Sequence, residues 1–466
     1  MRASIDGGAA VPVRGAPSSS FIADAPDGSM WISTPTFEIV RVAPNGTVER
    51  RLADVRPKLT VAIMQILPDG RTALAKDYNT SDGQLALLDL TSGKLTPLLD
   101  FPIVEARHAV GHLVYVRPDG SLHAIRFDAR SRKPEGTPVQ IAENVSLTGS
   151  GIAQFAMATN GTIVFVPAQP RQLMLVDRSG KATPLTAERR NFHMPRFSPD
   201  GRTIALDFPS LDGRDVWTLD RESGMLSRIT SEHDAHDPVW TTDGRELLYT
   251  SMKQGGTFGI YRTRLGSGVA RPVHANNVLA FTGALLPDGK TLLTVGLDSR
   301  PGSGGDIVEV DSAGRVTPVV ADVYNEGWPA VSPDGRWMAY VSTRSGRFEV
   351  YVRSLMGDPE QVQVSSSGGN EPMWSRDGQE LFYRADVDGH VEFVAAAVEA
   401  ASSFRVLSRK TLFNADEYDT AQPHANYDVA SDGKAFVMVH RAVMGRLSVI
   451  QNLPELARRM RETENP

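Results

Sequence analysis

The sequence predicts an all-β protein of radially stacked blades, a β-propeller, on three observations. A hairpin-turn phrase returns at nearly constant spacing, strand-forming segments flank each turn, and the composition is rich in turn formers and modest in charge. The phrase is Ser-Pro-Asp-Gly or a close relative. Its clearest copies are Phe197-Ser-Pro-Asp-Gly201, Trp240-Thr-Thr-Asp-Gly244, Leu286-Pro-Asp-Gly289, Val331-Ser-Pro-Asp-Gly335, Trp374-Ser-Arg-Asp-Gly378 and Ala430-Ser-Asp-Gly433. With the Asp as marker, the steps are 43, 45, 46, 43 and 55 residues, the length of a four-stranded blade.

Turn chemistry explains the recurrence. Pro presets φ at the first corner, Asp accepts local backbone hydrogen bonds, and Gly takes the left-handed position that completes the hairpin. The segment after each turn is apolar or alternating, as in Thr203-Ile-Ala-Leu206, Glu246-Leu-Leu-Tyr249 and Trp337-Met-Ala-Tyr340. A third strand follows, for example Asp215-Val-Trp-Thr-Leu219 or Glu349-Val-Tyr-Val352, and a more polar fourth strand ends the unit.

Earlier in the chain the grammar is looser, at Ala25-Pro-Asp-Gly28, Leu67-Pro-Asp-Gly70 and Ala158-Thr-Asn-Gly161. One repeat has its first hairpin tightened near Gly111, so that Arg117-Pro-Asp-Gly120 falls one hairpin later. The count is about ten four-stranded units, four in residues 20–170 and six in residues 187–450. The expected division is 1–170 as N-terminal blades and 171–466 as a six-bladed ring with a short C-terminal helix. The last unit shows only Tyr427–Ala430, Ala435–Val439 and Leu447–Ile450, so an outer strand must be donated to hide its edge. Met1–Val13, which reads as two outer strands, would close one large ten-unit ring; Gln172–Asp177 would close a six-bladed one. Leu453–Met460 predicts a short helix, with Pro454 in its first turn, that caps an edge.

Composition excludes several classes. Among 466 residues, 49 basic against 55 acidic side chains give a formal charge of −6, no field for a phosphate backbone, so nucleic acid is not an expected partner. The absence of cysteine removes disulfides, thiolate nucleophiles and zinc-thiolate sites. No apolar run approaches the roughly 18 residues that span a bilayer, and the first residues lack the apolar core of a signal peptide, which predicts a soluble chain with no membrane segment.

The Ser-Pro-Asp-Gly units with Asp-x-Trp or Val-Tyr-Val third strands resemble TolB-type propeller repeats of the WD-like kind. The order from Gly111-His-Leu-Val-Tyr-Val-Arg-Pro-Asp-Gly120 through Val176-Asp-Arg-Ser-Gly180, Tyr340–Val352, Gln379–Tyr383 and Val449–Leu453 also resembles the propeller that follows the kinase domain in many bacterial serine/threonine kinases. That resemblance implies a periplasmic or otherwise extracytoplasmic location, with the cytoplasm as the alternative, and leaves open that the chain is a detached part of a longer kinase. The chain itself carries no glycine-rich phosphate loop, no His-Arg-Asp loop and no Asp-Phe-Gly. Nor does it carry Gly-x-Ser-x-Gly on an α/β segment, so neither kinase nor hydrolase chemistry is expected.

In a propeller, residues just before each inner strand point to the mouth of the central channel. That position selects His193, His236, Asp237, Thr282, Asn325, Glu326, Asn370, Glu371 and His424 as candidate binding residues, three imidazoles and three carboxylates around one opening. Taken singly, each also has a structural explanation, since strand entrances commonly satisfy the backbone of neighbouring blades. His233 and His236 share a ligand-like spacing but no helical face to aim them, and Asp386-Val-Asp-Gly389 reads as a turn rather than a calcium loop. Trp240, Trp328 and Trp374 are expected in inter-blade packing. The reading is a non-catalytic, monomeric propeller without cofactor that binds a protein or peptide, as sensor or scaffold of a signalling or envelope assembly. The alternative is a propeller enzyme or small-ligand binder with a metal at the channel mouth.

Overall fold

The computed structural model describes residues 21–33, 38–45, 47–52, 61–78, 83–147, 152–168, 171–210, 213–253, 257–275, 280–296, 305–357, 360–401, 403–421, 423–441 and 447–464. They form nine four-stranded sheets and one three-stranded sheet with antiparallel neighbours throughout, as the all-β propeller reading requires. The repeated turns work as their chemistry demands. In the first ring blade Ser198 Oγ donates to Asp200 Oδ1 at 2.6 Å, Asp200 Oδ1 accepts the N–H of Arg202, and Gly201 has φ +70°. Ser332 with Asp334 and Ser375 with Asp377 repeat the arrangement. The hydroxyl and amide donors hold the Asp200 and Asp377 carboxyls below the usual range.

Six sheets follow one another around a ring. Their inner strands are His193–Phe197, Ala235–Trp240, Ala280–Leu285, Glu326–Val331, Asn370–Trp374 and Tyr427–Val429, each packed on the next and the last on the first. The sixth blade is made from both ends of this segment. Its first two strands are Tyr427–Val429 and Ala435–His440; its third and fourth are Gln172–Asp177 and Ala182–Pro184, with Leu173 opposite Val439 and Val176 opposite Phe436. The other candidate donor, Met1–Val13, lies outside the described residues.

Four further sheets begin at Phe21–Asp24, Val61–Ile66, Glu105–Ala109 and Phe155–Met157. The tightened hairpin is where the sequence places it: Val110 and Gly111 both have positive φ between the strands Glu105–Ala109 and His112–Val116, and Arg117–Gly120 turns into the third strand, Leu122–Asp128. One expectation is corrected. Ser448–Ile450 does not complete the last unit but pairs with Ile163–Phe165 in the three-stranded sheet. The helix Leu453–Glu464 then buries Leu453 and Ala457 among Val114, Ile163 and Phe165. The chain thus leaves the ring after His440 and ends on the N-terminal blades.

The core lies between faces of adjacent sheets. Trp328, Trp337, Ala339, Trp374, Leu381 and Phe404 fill the space between the fourth and fifth ring blades. Phe382, Phe393, Tyr427 and Phe436 do so between the fifth and sixth, with the Phe393 ring 4.7 Å from that of Phe436.

Candidate functional site at the channel mouth

Each of the first five inner strands carries a register shift two or three residues after its entrance, at His193/Arg196, His236/Val239, Phe281/Ala284, Gly327/Ala330 and Asn370/Met373. At the bulges Met194, Asp237, Trp328 and Glu371 have φ between 46° and 58°, a region that non-glycine residues rarely enter. Four of the five positions that follow are Pro195, Pro238, Pro329 and Pro372, and the fifth is Gly283; each lies five residues before its marker Asp. Proline gives up a ladder hydrogen bond that the bulge has already broken.

This register places the candidate residues. His193, Asp237 and His424 come together from the first, second and sixth blades, all buried, with one ligating atom of each within 4.8 Å of the others. The His193 and His424 Nε2 atoms are 3.1 Å apart, and Asp237 Oδ1 lies 3.4 Å from His424 Nε2 and 3.6 Å from His193 Nδ1. His236 joins from outside, its Nδ1 3.0 Å from Asp237 Oδ2. Two residues that the entrance rule did not select complete the network. Asp207 Oδ2 lies 3.3 Å from His193 Nδ1 and accepts the Asp237 main-chain N–H at 3.0 Å, and Arg214 donates to both Asp207 Oδ1 and His193 Nδ1 at 2.5 Å.

Electrostatics follow from burial and these partners. Burial, outweighing the pull of Asp237, pushes His424 down to about 3. Burial opposes ionisation of Asp237, but the imidazoles around it hold the carboxyl well below its ordinary range. Burial likewise opposes a charge on His236, and the adjacent Asp237 raises its pKa nonetheless.

The other candidates stand apart. Glu371 is buried against Arg384, whose Nε lies 3.0 Å from Glu371 Oε2, and accepts the main-chain N–H groups of Ala421 and Asn426. Burial raises its pKa although Arg384 opposes this. Glu326 sits one residue ahead of the bulge pair Gly327–Trp328 and accepts from Ser342 Oγ at 2.9 Å; Trp328 takes the mouth position instead. Asn325 is exposed and its N–H donates to Thr343 Oγ1. Asn370 pairs in register with Arg384. The Thr282 side chain lies outside the described residues. His233 turns to Asp215, 3.9 Å away, and not toward His236's partner. Asp386–Gly389 is the turn between two long strands, with Asp388 and Gly389 both at positive φ.

Below the mouth a cavity of about 390 Å³ runs along the ring axis, lined by all six inner strands. His424, Trp328 and Arg196 lie toward the mouth, while Pro199, Pro333 and Arg376 come from the turns at the far end. Arg196 is held by the carbonyls of Ala425 and Tyr427. Sequence reasoning missed Arg196, Asp207 and Arg214, and expected Trp328 only in the inter-blade packing where it lies, not also on the cavity wall. The proline five residues before each marker Asp would have found Trp328.

Comparison with known proteins finds a family match over part of the chain. Residues 163–315 match the TolB beta propeller domain. The Tol-Pal system protein TolB of Francisella tularensis subsp. mediasiatica is 27% identical over 206 residues, which are 42% of this chain and 47% of that protein. The chain therefore spans about half the length of the curated TolB proteins that it matches. The uncharacterized peptidase YuxL of Bacillus subtilis is 26% identical over 166 residues, 35% of this chain and 23% of that protein. Among solved structures, a putative TolB from Agrobacterium tumefaciens is similar at 20% identity and a TM-score of 0.49, covering 59% of this chain and all of that one. No described helix is long and apolar enough to cross a membrane.

Proposed function

We propose that this TolB-like propeller is a non-catalytic binding protein that takes a protein or peptide segment into the mouth of its six-bladed channel. It would act as a monomer in a sensor or scaffold of an extracytoplasmic envelope or signalling assembly. The observation that carries the reading is the axial cavity of about 390 Å³, a volume suited to a few side chains of an inserted segment. Its lining mixes apolar surface from Trp328, Val239, Leu285 and Met373 with polar groups at both ends. Similarity to TolB of the Tol-Pal system supports an envelope role, and the resemblance of the repeat order to kinase-linked propellers supports a sensor role. The candidate residues His193, His236, Asp237, Asn325, Glu326, Asn370, Glu371 and His424 divide on this reading: the cluster around Asp237 shapes the mouth, while Glu371 holds the wall.

The test is photo-crosslinking from a photoreactive residue at Met373, inside the channel, in cells carrying the full chain. A discrete crosslinked protein that disappears when Ala284→Trp fills the cavity supports insertion of a segment. A crosslink pattern unchanged by Ala284→Trp, or no crosslink at all, removes the reading.

A further inference from the structure

We propose that His193, His424 and Asp237 form a binding site for one zinc-class divalent cation that clasps the ring where it closes. The inference does not depend on the peptide-binding reading, because its evidence lies in the mouth network and not in the cavity volume.

The argument starts from the donor set. Two imidazole nitrogens and one carboxylate oxygen suit zinc and its transition-metal neighbours better than calcium or magnesium, which prefer oxygen alone. In a tetrahedral site with ligands about 2.1 Å from the metal, neighbouring ligand atoms lie about 3.4 Å apart. Here the two measured edges are 3.1 Å between the imidazole Nε2 atoms and 3.4 Å from His424 Nε2 to Asp237 Oδ1. The third pair of ligand atoms lies within the 4.8 Å span of the group. His424 also lines the channel cavity, so a fourth position has space in which to take water or a ligand group.

Outer partners are already in place. Asp207 Oδ2 is 3.3 Å from His193 Nδ1, the carboxylate–histidine pairing that orients a metal-bound imidazole, and His236 bears on the remaining oxygen of Asp237. The two facing Nε2 atoms can be 3.1 Å apart without repulsion only if one proton lies between them. Without metal, Arg214 donates to His193 Nδ1, and the proton on His193 Nε2 bridges to His424. A cation takes the place of that proton, which moves to His193 Nδ1 and is accepted by Asp207; Arg214 Nη2 gives up its bond to Nδ1, while Arg214 Nε keeps its bond to Asp207 Oδ1.

The consequence is mechanical. The three residues belong to the sixth, first and second blades, three neighbours that include the blade built from both ends of the ring segment. A metal there ties these blades together, and binding to the folded ring alone raises its melting temperature.

The experiment uses the full chain stripped with chelator and then titrated with Zn²⁺ or Co²⁺ alone. About one equivalent should bind, Co²⁺ should give the visible bands of a tetrahedral nitrogen–oxygen site, and Zn²⁺ should raise the melting temperature of the ring. His424→Ala and Asp237→Asn should each weaken binding by about a hundredfold or more, and His236→Gln, which removes only an outer partner of Asp237, by about tenfold. Should a variant fail to fold, nitrogen NMR of the wild type keeps the test open: Zn²⁺ must shift the His193 and His424 Nε2 resonances. Stoichiometry well below one, or tight binding that survives His424→Ala, overturns the proposal.

Discussion

The indole Nε1 of Trp240 donates to the main-chain oxygen of Arg196 at 2.9 Å, one blade earlier, and Trp374 makes the same bond to Ala330 at 3.1 Å. Both pairs span 44 residues, so a single repeat step carries each indole across the gap between blades. The tryptophan just before the turn phrase is therefore an inter-blade fastener, as the sequence leads one to expect. Trp328 differs: its Nε1 reaches Ala421, and its ring meets Phe348 edge to face.

Trp374→Phe keeps most of the apolar contact but leaves the Ala330 carbonyl without its indole donor, at a cost of about 1 kcal/mol. Trp374→Ala adds a cavity between the fourth and fifth blades and should cost about 3 to 5 kcal/mol. Urea denaturation of both variants checks the order and the gap.

Arg384 neutralises the buried Glu371 carboxylate. Arg384→Met leaves that charge without its counter-ion and should destabilise the ring by about 3 to 5 kcal/mol at neutral pH. Glu371 already has a raised pKa, so acidification should protonate it and recover part of the loss. The comparison is the stability of variant against wild type at pH 5 and pH 7.5; a pH-independent difference would refute the assignment.

Burial, with Asp322 and Asp306 nearby, lifts Glu326 from the ordinary 4.5 to about 7. A carboxyl whose folded pKa exceeds its unfolded value binds a proton in the fold that the unfolded chain has released. Its contribution therefore falls as pH rises between about 4.5 and 7 and stays lost above that. Glu326→Gln, which retains an acceptor for Ser342, should flatten this slope by about 1 kcal/mol after allowance for the solvent near the group. Stability curves at half-unit pH steps give the measurement.

Leu453 anchors the C-terminal helix on the N-terminal blades. Leu453→Asp buries an unpaired charge there and should cost about 3 kcal/mol or more. Amide exchange should accelerate in residues 105–165 while the strands of residues 193–440 keep their protection. Equal acceleration in both regions would show that they unfold as one.

The blades were legible because their information is local. A Ser198–Asp200–Gly201 corner specifies its own hydrogen bonds within four residues, so each hairpin announces itself. His193, Asp237 and His424 were selected by the same logic, as residues expected at strand entrances; His193 opens its strand, Asp237 stands third in its own, and His424 lies three residues ahead of Tyr427. Glu326 stands three residues before Pro329, whereas Asp237 directly precedes Pro238 and His193 lies two before Pro195, so Glu326 falls outside the bulge. Asp207, Arg214 and Arg384 were invisible for another reason: they stand on second and third strands that cross-strand register alone brings to the mouth. Ser448–Ile450 reads as a strand, but nothing in three residues names a partner, Ile163–Phe165, that lies far back along the chain.

The seam in the sixth blade also governs the order of events during synthesis. Gln172–Asp177 leaves the ribosome long before Ala435–His440 exists to pair with it, so the nascent protein carries one open, apolar border while five blades are still being made. Such borders recruit foreign strands. Latching must come last and slowly, because it joins positions so distant along the polypeptide. Translation that halts anywhere before the latch leaves a sticky intermediate in place of a smaller working ring.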